Sequence, residues 1–537
     1  MHEILTLQFG HRANHLATHF WNSQESYFTY DDIQTLSPVD HDIHFRPGIG
    51  PHGEETFTPR TLIYDLKGGF GGLRKWGGLY DQQQLDDGQG VERAKDVWDG
   101  KVVLQTDPQI SQSDYQKSLE DGVSNPRNLS PETVRYWSDF NRVFYHPRSI
   151  NQFNDYELGS TLMPFEKWEN GDELFTSMDR DADLLDRDVR PWAEECDQMQ
   201  GIQIFTGGDD AWGGFASTYV ERLRDEYGKM PIWAWGIEEE HGKGQRAKQL
   251  LRTVNTARTI YEMSSHASLY VPLSLPTGLL PEYVHLNRNS RWHVSALLSI
   301  AVESLTLPSR LRPDIQKRGR LGDIEAALNV NGNQRIAQLQ CSILNPESEP
   351  CEVVDDRARN DDRAPSVMNR TTVEGDGVYA TASYLNMNLS AGDIPSSLSL
   401  ASQYRASDHT FGAVECTRGR LEAMEKKEAD EDEFADTRKR RRFAGLPVTE
   451  RYQSSLVFPL LDSFPAILTL SPNPTAVAVH TSLSTTTRIS SRIKALQKVV
   501  SRIANLDERE SLSNSLGDIG EAYEEGWESG SGEDSDD

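Results

Sequence analysis

Cysteine is scarce in this chain: four in 537 residues, at positions 196, 341, 351 and 416, with no C-x-x-C pair. That excludes a disulfide framework and a cysteine zinc site, and reads as reduced thiols of a cytosolic protein. Long apolar runs are missing too. The richest, LVFPLLDSFPAILTL from Leu456, is broken by Asp462 and by Pro459 and Pro465, so no transmembrane segment is expected. The opening MHEILTLQFG alternates like a strand and has neither an Arg/Ser-rich presequence nor the apolar core of a secretory signal. Basic residues are outnumbered, 55 against 83 acidic, for a formal charge of -28. Such a surface repels phosphate backbones and disfavours direct nucleic-acid contact. G-x-S-x-G, G-x-x-x-x-G-K-[ST] and H-E-x-x-H are all absent, and GGFGG at Gly68 lacks dinucleotide spacing. No residue is assigned a catalytic role, and the chain reads as non-enzymatic.

What is present is enough apolar material for real cores: 36% hydrophobic residues and eleven Trp. The length suits two or three domains, and the mean hydropathy of -0.61 points to polar insertions between them. Residues 3–10 read as a buried strand and 12–28 as a helix carrying Leu16, Phe20, Trp21 and Tyr27. Residues 60–66 (RTLIYDL) read as a second strand, 105–131 as an inserted polar loop, and VRYWSDFNRVFYHPRSI as an aromatic segment packed on the first domain. The best-defined unit is strand 202–206, the turn TGGDDAWGG, a helix over 214–227 with Phe215, Tyr219, Val220, Leu223 and Tyr227 on one stripe, and strand 231–236. Strand, helix, strand in that order makes a parallel α/β crossover. Helices follow over 243–263 and 291–305. Shorter strands are expected at 335–343, 378–386, 454–461 and 466–480, with polar insertions at 345–376 and 404–447. A helix over 487–506 and an acidic tail expected to stay unfolded end the chain.

A glycine turn opening a helix is where α/β proteins hold phosphate, through free N–H groups and the helix dipole. Gly207, Gly208, Gly213 and Gly214 would let a backbone approach a pyrophosphate. Asp209 and Asp210 oppose it: a unit charge about 5 Å from a phosphate costs roughly 3 kcal/mol at an effective dielectric of about 20. A tight turn whose glycines serve packing is the reading preferred over phosphate binding. His11, His15 and His19, four apart, could stripe one helix face as metal ligands do, but a structural zinc needs four; no metal site is assigned. The basic cluster 438–442 adjoins the acidic run EADEDEFAD and reads as a self-neutralised solvated loop.

Several segments, in order, resemble tubulin. HEILTLQFGHRANHLATHFW resembles its opening, with Gly10 and Trp21 matching and His11 and His15 where tubulin has glutamines. RTLIYDL with Asp65 resembles the strand leading to the second nucleotide loop. Residues 196–227 resemble the signature-loop segment, and HVSALLS at 293–299 the central helix. The departures are specific. The signature loop reads GDDAWGG, Lys67 replaces an acidic residue expected near magnesium, and the loop that completes GTP hydrolysis is unrecognisable around Asp314 and Asp323. A tubulin opening, a degenerate loop and WSDFNRVFYHPRSI, with Trp137, Phe140, Tyr145 and Pro147, together resemble the Misato family, including fungal Dml proteins.

The resemblance implies an α/β, tubulin/FtsZ-like fold: a Rossmann-type parallel-sheet domain over 1–306, a smaller α+β domain over 307–486, a C-terminal helix over 487–510 and an acidic tail over 511–537. It implies a role in partitioning mitochondria and inheriting mitochondrial DNA, in the cytoplasm and peripherally on the cytosolic face of mitochondria. Protein partners there, tubulin or its chaperonin among them, would hold it. Gly10, His11, Asp65, Gly207, Gly208, Gly213 and Gly214 are its degenerate nucleotide-loop candidates. No cofactor is expected. The alternative is a GTP-binding, polymerising protein or a factor in tubulin biogenesis.

Overall fold

The structure, a computed structural model, describes residues 2–29, 37–49, 53, 55–73, 110–122, 129–240, 245–276, 278–313, 317–344, 387–390, 409–419, 447–470, 474–501 and 506–524. Cys351, Asp314, the 378–386 strand, the 438–442 basic cluster and the last thirteen residues lie outside them.

Six parallel strands form the first sheet: β1 (Ile4–Phe9), β4 (Thr61–Lys67), β5 (Ile150–Glu157), β6 (Gly201–Gly207), β7 (Ile232–Ile237) and β8 (Leu269–Leu273). Their spatial order is β5-β4-β1-β6-β7-β8, while β2 (Phe45–Ile49) and β3 (Glu55–Pro59) make a separate hairpin. A parallel sheet is covered on both faces, so its central strands are mainly apolar, with Thr6, Gln8, Asp65 and Gln203 as buried polar exceptions, while the edge strand β5 is largely polar. Along β7, Trp233, Trp235 and Ile237 enter one core while Ile232 and Ala234 enter the other, the two-residue period of a strand. One face is covered by α1 (His11–Glu25). The other is covered by α2 (Trp168–Ala182), α3 (Ala211–Glu226) and α4 (Arg246–His266). The expected stripe of Phe215, Tyr219, Val220 and Leu223 is fully buried on α3.

The central helix α5 (Arg291–Thr306) packs beside α1, and a short helix α6 (Leu321–Leu328) follows. Behind them stands a second, mixed sheet of β9 (Gln338–Leu344), β10 (Met387–Asn388), β11 (Thr410–Arg418), β12 (Val448–Ser454) and β14 (Ala476–Thr486), in the order β10-β9-β14-β11-β12; β13 (Phe458–Pro459) pairs with β14. The chain closes with α7 (Thr487–Val500) and α8 (Leu506–Glu521). The fold is the expected α/β, tubulin-like one.

Three expectations are corrected. The polar insertion at 404–447 contains β11, a central strand of the second sheet; its TFGAVECTR alternates, but flanking polar residues masked the short run. The loop at 105–131 contains a helix, Asp114–Glu120, N-capped by Ser113, whose side chain accepts from Gln116 N at 3.2 Å. The tail expected unfolded from 511 is helical as far as Glu521 and packed as far as Tyr523. Leu512, Leu516, Ala522 and Tyr523 are buried, and the Tyr523 hydroxyl accepts from Ile336 N at 2.6 Å. Few apolar residues suffice there because α8 needs only one narrow stripe against α7 and α4.

Candidate functional site

The C-terminal ends of β1, β4, β6 and β7 meet at one crevice, where sheets of this kind present ligands. Two cavities open there, of about 220 and 490 Å3. Gly10 leaves β1 at φ +86°, a left-handed turn that favours glycine. The space beside it is full: a Cβ on Gly10 would stand 2.3 Å from Nε1 of Trp212. Trp212 is held there by Phe153, Phe165 and Phe215.

Trp212 lies in the signature turn, and that turn is tied down from both sides. Asp210 is the N-cap of α3, its carboxylate accepting from Trp212 N at 3.0 Å. Arg12 Nη2 donates to Asp209 Oδ1 at 2.5 Å and to Asp210 Oδ2. Asp209 Oδ2 also accepts from Glu239 N at 3.1 Å, joining the turn to the segment after β7. Burial pushes both carboxyls up. Arg12 outweighs it at Asp209, whose pKa falls below its ordinary value, whereas burial and the neighbouring Asp209 charge leave Asp210 above its own. The two aspartates, read from sequence as bare charges facing a phosphate, are partners of an internal guanidinium. Replacing Arg12 with alanine strands Asp210 and leaves Asp209 only the more distant Arg252 at 4.0 Å, so the unfolding free energy is expected to fall by about 3 kcal/mol, the low end for a broken buried pair. A denaturant midpoint unchanged from the parent would show instead that water solvates them.

Of the seven glycine-loop candidates, His11 and Gly207 line the smaller cavity. Gly208, Gly213 and Gly214 serve packing. A Cβ would meet Tyr270 Oη at 2.9 Å, Thr259 Oγ1 at 2.4 Å and Trp168 O at 2.0 Å respectively. The last contact lets α2 and α3 approach closely, as does Gly171, whose Cβ would stand 1.7 Å from Ala211 O. Asp65 is fully buried; it accepts from Asn14 Nδ2 and Leu66 N at 2.9 Å each, and desolvation raises its pKa to about 7. His11 Nδ1 stands 3.9 Å from it, with its pKa well below the usual value through burial. His15 and His19 face inward, their rings bonded to His11 O at 2.7 Å and Trp292 O at 3.1 Å. Among the described residues no three potential ligands are placed to hold a metal. Asp323 caps the start of α6 by accepting from Arg320 N at 3.0 Å.

The WSDF segment supports the crevice from behind. Trp137–Phe140 form a 3-10 turn, with Asp139 accepting from Arg135 N and Tyr136 N at 2.8 and 2.9 Å. Asn22 of α1 donates to Phe140 O at 2.9 Å and accepts from Arg142 N at 3.0 Å. Sequence reasoning missed Arg12, Trp212 and Arg291. A tryptophan inside a glycine turn was the available signal, since so large a side chain must itself fill the space that glycines clear.

A parallel six-stranded sheet with its loop crevice, a central helix and a second sheet behind it define a tubulin-like protein. A tubulin-domain model matches residues 126–311 and the Misato Segment II tubulin-like domain matches residues 2–121. The chain is 45% identical to protein dml1 of Aspergillus niger over 539 residues, covering all of both chains. It is 46% identical to protein DML1 of Coccidioides immitis, covering 99% of each, and 45% identical to protein dml-1 of Neurospora crassa over the full length of both. The chain belongs to the Misato family of tubulin-like proteins, whose fungal members carry the name Dml1.

Proposed function

We propose that this chain is a non-enzymatic tubulin-like protein that acts in partitioning mitochondria and in inheritance of mitochondrial DNA. It works from the cytosolic face of the organelle and is held there by protein partners. The mitochondrial role follows the Misato resemblance. The absence of a nucleotide cycle is supported by one observation: Trp212 fills the space over Gly10 and Arg12 is tied to Asp209 and Asp210, which narrows the phosphate side of the crevice to about 220 Å3. Charge matters less to this reading than occupancy, because Arg12 offsets one of the two carboxylates. No helix among the described residues is long and apolar enough to cross a membrane, so the reading calls for docking partners, with tubulin and its chaperonin as the ones to test.

Equilibrium titration of the purified full chain with GTP and magnesium is the direct test, run beside depletion of the chain in cells. No saturation is expected up to millimolar GTP, while depletion leads to loss of mitochondrial DNA. Micromolar GTP affinity with turnover would replace this reading by that of a GTP-binding, polymerising protein. Normal mitochondrial inheritance after depletion would remove the organelle from it.

A further inference from the structure

The two edges of the first sheet differ. The β8 edge is covered: Tyr270 N donates to Arg335 O at 2.7 Å, Ala337 N to Tyr270 O at 3.1 Å and Ser274 N to Leu389 O at 2.8 Å. β5, at the opposite edge, pairs with β4 alone. Among the described residues, no backbone group from Ile150 to Tyr156 has a hydrogen-bond partner other than β4. The register with β4 is regular from Ile150 to Phe153 and is interrupted only beyond it. A strand of eight residues spans about 26 Å.

An open edge offers its free amides and carbonyls to any extended chain that reaches it, and proteins blunt such edges with lysine, proline or a covering element. INQFNDYE carries neither lysine nor proline, and Gln152, Asn154, Asp155 and Glu157 are exposed. The surroundings select the charge of what pairs there. Residues 155–197 hold fourteen acidic side chains against four basic ones. Glu173 of α2 stands near the strand: the Tyr156 pKa is raised by partial burial first, then by Glu173 and Asp155. Exposed apolar side chains flank the strand in the chain, Phe144 before it and Leu162 and Met163 after it. A second copy of this chain is a poor occupant, because each brings a net charge of -28 and like charges repel.

We propose that the outer edge of β5 is a docking site for a partner protein, which adds an extended, lysine- and arginine-rich segment to the six-stranded sheet as one further strand. Backbone hydrogen bonds supply the affinity, and Asp155, Glu157 and Glu173 supply the preference for basic side chains. The site lies at the rim of the sheet and stands whether or not the crevice binds nucleotide.

The test titrates the full-length chain at low salt with a short fluorescent peptide of alternating valine and lysine, read by anisotropy. Saturable binding is expected. The same peptide with glutamate in place of lysine should bind about tenfold more weakly or worse, as should the lysine peptide with its backbone amides methylated, which keeps the charge but cannot pair as a strand. Asp155→Lys combined with Glu157→Lys should weaken binding about tenfold and leave the unfolding midpoint unchanged, since both side chains are exposed. Hydrogen exchange in the complex should slow at the amides of residues 151–155. Failure of the lysine peptide to saturate, equal binding by the methylated peptide or by the doubly substituted chain, or slowed exchange elsewhere with β5 unaffected overturns the site. Binding that appears only after Arg438, Lys439, Arg440, Arg441 and Arg442 are replaced by serine overturns the partner in favour of the chain's own basic segment. The GTP titration above is independent of every one of these outcomes.

Discussion

Glu303→Ala is expected to lower the unfolding free energy by about 3–5 kcal/mol, the usual cost of removing one member of a buried ionic group. Glu303 on α5 is fully buried, as are Arg310 and Arg418, which pair with it; Arg310 Nη2 stands at 3.1 Å. Gln24 Nε2 and the Tyr27 hydroxyl donate to the same carboxylate at 3.0 and 3.1 Å. Arg418, at the end of β11, also donates to Leu456 O and Val457 O at 3.0 and 2.8 Å. This cluster therefore joins the first helix, the central helix and the second sheet through one carboxylate. Without Glu303, two guanidiniums remain in the core with no counter-charge. Glu303→Gln, which keeps shape and acceptor but loses charge, should fall between the parent and alanine. Denaturant titration of the three proteins measures this, and a loss below about 1 kcal/mol for alanine would show that water reaches the cluster.

Acid should destabilise this protein well above the pH at which carboxylates protonate. His11, His15, His19 and His44 are all buried, and desolvation lowers each pKa, to about 3 for His15 and His19. A histidine whose folded pKa lies below its unfolded value near 6.5 takes up its proton in the unfolded chain first. Its stabilisation is complete above about pH 6.5 and is lost as pH falls toward the folded pKa. At pH 5.5 each such group costs roughly 1.4 kcal/mol, so the four together cost roughly 5–6 kcal/mol. Asp65 acts in the opposite direction. With a folded pKa of about 7, it binds its proton in the folded state first, and folding gains roughly 2 kcal/mol between pH 7.5 and 5.5. The net expectation is a loss of roughly 4 kcal/mol over that interval. It can be read from denaturant midpoints at the two pH values, and a midpoint that holds or rises on acidification would refute it.

Periodicity carried the first sheet well. Short, mainly apolar runs at β1, β4, β6 and β7 and the four-residue stripe on α3 specify buried strands and a covering helix, because a sheet covered on both faces selects apolar side chains at most positions. It failed where burial is local. Residues 506–524 carry few apolar side chains, and Tyr523 earns its place through one hydrogen-bonded hydroxyl that composition does not reveal. β5 was hidden by its own polar residues, INQFNDYE, and β11 by its polar flanks.

At the crevice, the chain order of residues fixed the positions of Gly10 and Gly207 at the ends of their strands, since one directly follows and the other closes a strand that had to be buried, and it set Asp65 near the end of β4. It also fixed family membership, because that rests on the linear text itself. What only folding decided is who meets whom. Arg12 lies 197 residues from Asp209, and Trp212 reaches Gly10 across a strand boundary. The charge of two aspartates and the emptiness of a glycine turn are properties of neighbours in space. A one-dimensional reading prices them against water, whereas the folded chain sets them against a guanidinium and an indole.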